Sequence, residues 1–122
     1  MIPWSNQVKS VNVYSHLIGA IAFLKTGVYL YTELCARYQS CTNADIYAFA
    51  VFLLSAATCF ILSAVCHLIL NHSHSGARLG TNLDYVGIIV FIVGTCVSGF
   101  YYGLREHETL LRVYWTMVCV CL

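Results

Sequence analysis

Three long runs of apolar residues, each nearly free of charge, decide what this chain can fold into: residues 11–34, 46–70 and 83–102. A helix needs about 20 apolar residues to cross a hydrocarbon core ~30 Å thick, and each run meets that length. Only 9% of the residues are charged and 60% are hydrophobic, against about 25% charged in soluble domains. The runs therefore predict an all-α, multi-pass transmembrane helix bundle. A net charge of +1 gives no electrostatic case for a nucleic-acid partner, and no polybasic run marks an anionic-lipid patch.

The first run is too long for a signal-peptide core, and no small-residue cleavage site ends it. Lys25 lies inside it, where a charge is costly unless it snorkels or faces protein. In the polar linker CARYQSCTNAD, Thr42, Asn43 and Asp45 are candidate helix caps. A second linker, NHSHSGARLGTN, is rich in turn residues. On the third run, Gly94 with Ser98 and Gly99 with Gly103 form small-xxx-small pairs suited to close helix contact. A fourth run covers 110–122, too short to cross at 1.5 Å per residue. That shortness leads us to expect the front part of a longer protein. Of seven cysteines, Cys59, Cys66, Cys96, Cys119 and Cys121 read as small buried hydrophobes. Cys35 and Cys41 flank a linker and are either free thiols or a pair.

Alternating spans gather polar residues at one membrane face. Asn12 and His16 open the first span, Ser63 and His67 close the second, and Asp84 opens the third. Asn12 and His16 are four apart, as are Ser63 and His67, so each pair shares a helical face. Ionisable groups at membrane depth are functional candidates by default. Each also has a plain structural reading. Asn12 serves as a cap or interhelical partner, His16 as an interfacial histidine satisfied by backbone, and Ser63 bonds back to its own helix. Asp84 caps the third helix in the plain reading; in the functional one it orients a metal-bound water or holds a histidine in one tautomer. A catalytic zinc asks for three protein ligands and an open position, and this chain offers His67, with Asp84 and His16 as further candidates. His72 and His74 in the linker read as solvated, and His107 as surface. A third possibility is a haem bundle with His16 and His67 as axial ligands.

The stretches VNVYSHLIGA (11–20), LSAVCHLILNHS (62–73), LDYVGIIVFIVGT (83–95), FYYG (100–103) and VYWTM (113–117) resemble the progestin and adipoQ receptor family, which includes the haemolysin III-related proteins. VYLYTEL and YWTM give the resemblance a fungal flavour. It implies a seven-helix fold with a cytosolic amino terminus, of which residues 1–122 hold the first three to four helices. It also implies a zinc site in which His67 is a ligand, Asp84 contacts the metal-bound water and Ser63 stands beside them. The other two ligands would come from an H-x-x-x-H on the seventh helix, which has no counterpart here. Asn12 and His16 match the first-helix motif, but Lys9 stands where that motif usually has an acid.

The resemblance further implies a receptor-like membrane protein with zinc-dependent, ceramidase-like lipid amide hydrolysis, linked to lipid and zinc homeostasis. Membrane lipids, including a ceramide-like substrate, are the implied partners. A non-enzymatic signalling receptor with structural zinc and an inactive fragment are the alternatives. Positive charges do not favour the implied orientation: Lys9 and Arg78 fall on the cytosolic side, Arg37, Arg105 and Arg112 on the other.

Overall fold

The computed structural model describes the backbone of residues 4–37, 41–72 and 76–121, and side chains within 10–33, 36–37, 41–70 and 76–121. Four helices follow in chain order: α1 (Trp4–Arg37), α2 (Asn43–His72), α3 (Ala77–Gly103) and α4 (Glu108–Cys121). Ser10–Glu33 of α1, Asn43–Leu70 of α2 and Ala77–Gly103 of α3 are long and apolar enough to cross a membrane. The protein is an integral membrane protein. At 14 residues α4 reaches only about 21 Å.

α2 is the central element, packing on α1 along one side and on α3 along another, while α1 and α3 do not touch among the described residues. Small residues set how closely α3 approaches. Gly80, Gly87 and Gly94 recur every seventh residue along one stripe, the period of a gently supercoiled pair. A side-chain carbon at Gly80 would meet the Cys66 carbonyl at 3.3 Å, and one at Gly87 the Cys59 backbone at 3.2 Å. One at Gly94 would collide with the Ser55 hydroxyl. On α2 the facing positions are also small or buried: Ala48, Ser55 and Cys66. The Ser98 hydroxyl donates across the seam to the Ala48 carbonyl at 2.7 Å. The predicted Gly94/Ser98 packing pair is therefore the α2–α3 seam. The Gly99/Gly103 pair is not a seam in this structure: side-chain carbons there would meet nothing within 4 Å.

α1 packs by a different device. A side-chain carbon at Gly19 would meet the Phe60 ring at 3.2 Å, and one at Gly27 the Leu53 side chain at 3.3 Å. Phe23 stacks on Phe60, with ring centroids 5.6 Å apart. Away from α2, α1 presents Tyr14, Ile18, Val28 and Tyr29, each more than 60% exposed, as a lipid-facing helix does. Lys25 is exposed on this helix and has no ion-pair partner among the described residues.

The end of the bundle remote from the histidines is closed by Asp45. Thr42 and Asp45 form a reciprocal cap: the Thr42 N–H and hydroxyl donate to Asp45 Oδ2 at 3.0 and 2.7 Å, and the Asp45 N–H donates to Thr42 Oγ1 at 3.4 Å. Asp45 Oδ1 then accepts from the Tyr101 hydroxyl at 3.0 Å and from Arg105 at 3.4 Å. The Tyr102 hydroxyl donates to the Asp45 carbonyl at 3.2 Å, and Arg105 lies over the Tyr101 ring at 5.6 Å.

Four expectations from sequence change. Asn12 and Asp84 lie well inside α1 and α3, so neither is a cap. α3 begins at Ala77, and the ARLGTN stretch, expected as linker, is helical. Cys119 and Cys121 are exposed rather than buried, because α4 packs lightly on α3. Cys35, His72 and His74 lie outside the described side chains, as does Lys9.

Candidate functional site

His16 and His67 come together. Gly19 lets α1 close onto Phe60, and one turn beyond, the His16 ring meets both Phe60, at 5.6 Å between centroids, and His67, at 5.5 Å. His16 against His67 is an edge contact, with ring planes 67° apart. As placed, the two rings touch and leave no room for a porphyrin between them. The Nδ1 of His16 is buried and makes no hydrogen bond among the described residues. The Asn12 carbonyl, one turn back along α1, accepts the Ser15 hydroxyl at 3.0 Å. Asn12 itself is half-buried on the same face of α1.

Ser63 is buried, 7% exposed, one turn below His67. Most hydroxyl side chains in these helices bond back to their own carbonyls: Ser55 to Phe52, Thr58 to Leu54, Thr95 to Phe91 and Ser98 to Gly94. Ser63 makes no such bond among the described residues, so its hydroxyl keeps a free donor and acceptor.

Asp84 is placed by the glycine seam. Because Gly80 faces Cys66 and Gly87 faces Cys59, Asp84 stands level with the stretch around Leu62 and Ser63. It is half-buried and has no ion pair or hydrogen bond among the described residues. Helical periodicity gives its direction. Thr95 and Tyr102 lie three and five turns along α3 from Asp84, and Phe52 lies three turns along α2 from Ser63. Those three residues line one cavity of about 260 Å³ between α2 and α3. Ser63 and Asp84 thus open onto the same side of that helix pair.

The structure therefore assembles a polar notch at one end of the bundle: His16 from α1, Ser63 and His67 from α2, Asp84 from α3. Its walls suit a metal in chemistry, with two imidazoles and a carboxylate. They do not suit one in number. No group of three or more His, Cys, Asp or Glu stands close enough to hold an ion among the described residues. Phe60, on which both Phe23 and His16 rest, escaped sequence reasoning. One signal was available: it lies seven residues before His67, two turns away on the same face.

The chain matches the haemolysin-III related family over residues 4–122. It is 38% identical over 106 residues to the ADIPOR-like receptor IZH2 of Saccharomyces cerevisiae, covering 87% of this chain and 33% of that protein. It is 32% identical over 109 residues to the adiponectin receptor protein of Drosophila melanogaster, covering 89% of this chain and 24% of that protein. Against human progestin and adipoQ receptor family member 3 the identity is 31% over 107 residues, covering 87% of this chain and 34% of that protein. The chain spans about a third or less of the length of these relatives. No solved structure matches it significantly.

Proposed function

Because the chain belongs to the haemolysin-III related family of adiponectin-receptor-like membrane proteins, we propose that its polar notch is one wall of a zinc-dependent lipid amide hydrolase site. The observation that carries this reading is that Ser63, one turn from His67, and Asp84 lie on the same side of the α2–α3 pair, and neither makes a hydrogen bond among the described residues. His67 would hold the zinc together with ligands outside these 122 residues, and zinc would there activate water and polarise a carbonyl. Asp84, about two turns into α3, would serve as the acceptor of that water's proton. Ser63 donates its free hydroxyl to the substrate's carbonyl oxygen. The notch lies at the end of membrane helices, which suits a ceramide-like substrate that arrives through lipid.

A second reading has support of its own: the yeast, fly and human relatives all carry the name receptor. In that reading the protein signals without hydrolysis and zinc is structural. Hydrolysis of a fluorescent ceramide by the full-length protein, with zinc content measured alongside, separates the two. Asp84→Asn is expected to lower turnover by roughly a hundredfold to ten-thousandfold while zinc content stays unchanged. A parent that hydrolyses no ceramide overturns the hydrolase reading, and an Asp84→Asn protein as active as the parent overturns the role given to Asp84.

A further inference from the structure

Lys25 stands deep inside a membrane span, and the fold supplies nothing to neutralise it. It is exposed on α1 and makes no ion pair among the described residues. The chain has five carboxylates, and all are committed or remote. Glu33 pairs with Arg37, Asp45 with Arg105 and Glu108 with Arg112. Asp84 belongs to α3, which does not touch α1 among the described residues, and Glu106 lies in the turn after α3. Water is no closer. The nearer end of the span, at Glu33, is about 12 Å along the axis. A helical side chain leans toward the amino terminus of its helix, so the four-carbon stem of Lys25 points away from that end. Charges at such depth are costly and pair with one another.

Helical periodicity gives the direction of the charge. Lys25 lies two and a half turns beyond His16, on the opposite face of α1. His16 meets α2 and the notch, so Lys25 looks away from both. Around it stand Ile18, Ile21, Val28 and Tyr29, all exposed. Lipid suits those four residues and does not suit the lysine.

We propose that this outer face of α1 docks a membrane helix of a second protein, one that carries an aspartate or glutamate level with Lys25. Charge decides the occupant. A second copy meeting through the same face would bring two lysines together. Lipid phosphates lie beyond the hydrocarbon, and the lysine leans away from the nearer layer of them. Later helices of the same protein gather on the His16 side, because ionisable groups in membranes face the bundle interior. An acid-bearing helix from outside satisfies the whole face, its carboxylate the lysine and its apolar surface the residues around it. Neither zinc nor hydrolysis at the notch enters this argument.

The test places the full-length protein in phosphatidylcholine vesicles with a synthetic leucine–alanine membrane helix bearing one central glutamate. Energy transfer from a donor on the peptide to an acceptor at the protein's amino terminus reports association. The glutamate peptide is expected to associate roughly threefold to twentyfold more tightly than its leucine counterpart, the range for polar pairs between membrane helices. Lys25→Leu is expected to abolish that preference, with helix content by circular dichroism unchanged. Lys25→Glu is expected to transfer it to a peptide with a central lysine. A parent that does not distinguish the glutamate from the leucine peptide overturns the proposal, because lipid or a later helix of the same protein then covers the face. A preference that survives Lys25→Leu overturns it as well, because the contact then lies elsewhere.

Discussion

Gly94 and Gly99 share a helix and differ in what a single methyl group would do. A carbon at Gly94 lands on the Ser55 hydroxyl, whereas one at Gly99 meets nothing within 4 Å. Gly94→Ala is therefore expected to destabilise the α2–α3 pair by about 1–3 kcal/mol, the usual cost of overpacking. Gly99→Ala should leave stability unchanged or slightly raised. Thermal unfolding in detergent, followed by circular dichroism, reads both, and equal effects would mean that the seam is misplaced. Ser98→Ala removes the bond to the Ala48 carbonyl and should cost about 0.6–1.7 kcal/mol by the same measurement. At this scale the sequence showed which residues are small and which are polar. It did not show which small pair is used, because the Gly99 face differs from the Gly94 face only by helix rotation against a neighbour. Nor did it show that His16 touches His67. That contact depends on Gly19 admitting Phe60, a long-range fit that no local pattern encodes.

The elements themselves follow from hydropathy, and their ends follow from hydrogen bonding. Each apolar run falls within a helix long and apolar enough to cross a membrane, but α3 starts six residues before its run, at Ala77 rather than Leu83. Polar residues there read as linker, yet the helix continues because Gly80 packs on the Cys66 carbonyl region of α2. Asp45 shows the same limit from the other side. The sequence marked it as a candidate cap for its own helix. Its second role, gathering Tyr101 from the far end of α3 and Arg105 from the turn beyond it, depends on antiparallel register. Asp45→Asn is expected to lower the thermal midpoint more than Tyr101→Phe does. The aspartate change weakens both the cap and the cross-helix bonds, while the tyrosine change removes one bond. A Tyr101→Phe protein that melts lower than Asp45→Asn would show the cross-helix bond, not the cap, to be dominant.

For the whole molecule the deciding property is sidedness, and two arguments pull apart. The family resemblance implies a cytosolic amino terminus, which puts the α2–α3 connection and the notch of His16, Ser63, His67 and Asp84 on the cytosolic side. The positive charges lean the other way, with Arg37, Arg105 and Arg112 opposite Lys9 and Arg78. Counts this small in short loops carry little orienting force. The cytosolic assignment is therefore the expected one, and the sequon at Asn71-His72-Ser73 should carry no glycan. A direct measurement replaces all seven cysteines and introduces either Ser75→Cys, between α2 and α3, or His107→Cys, in the exposed turn before α4. An impermeant maleimide should reach Ser75→Cys only after digitonin opens the plasma membrane. His107→Cys should label either in intact cells or only once detergent dissolves every membrane, according to which membrane holds the protein. Labelling of Ser75→Cys in intact cells, or its protection until full solubilisation, would turn the molecule over. The notch would then face the exterior or a lumen, and its substrate would have to arrive from that leaflet.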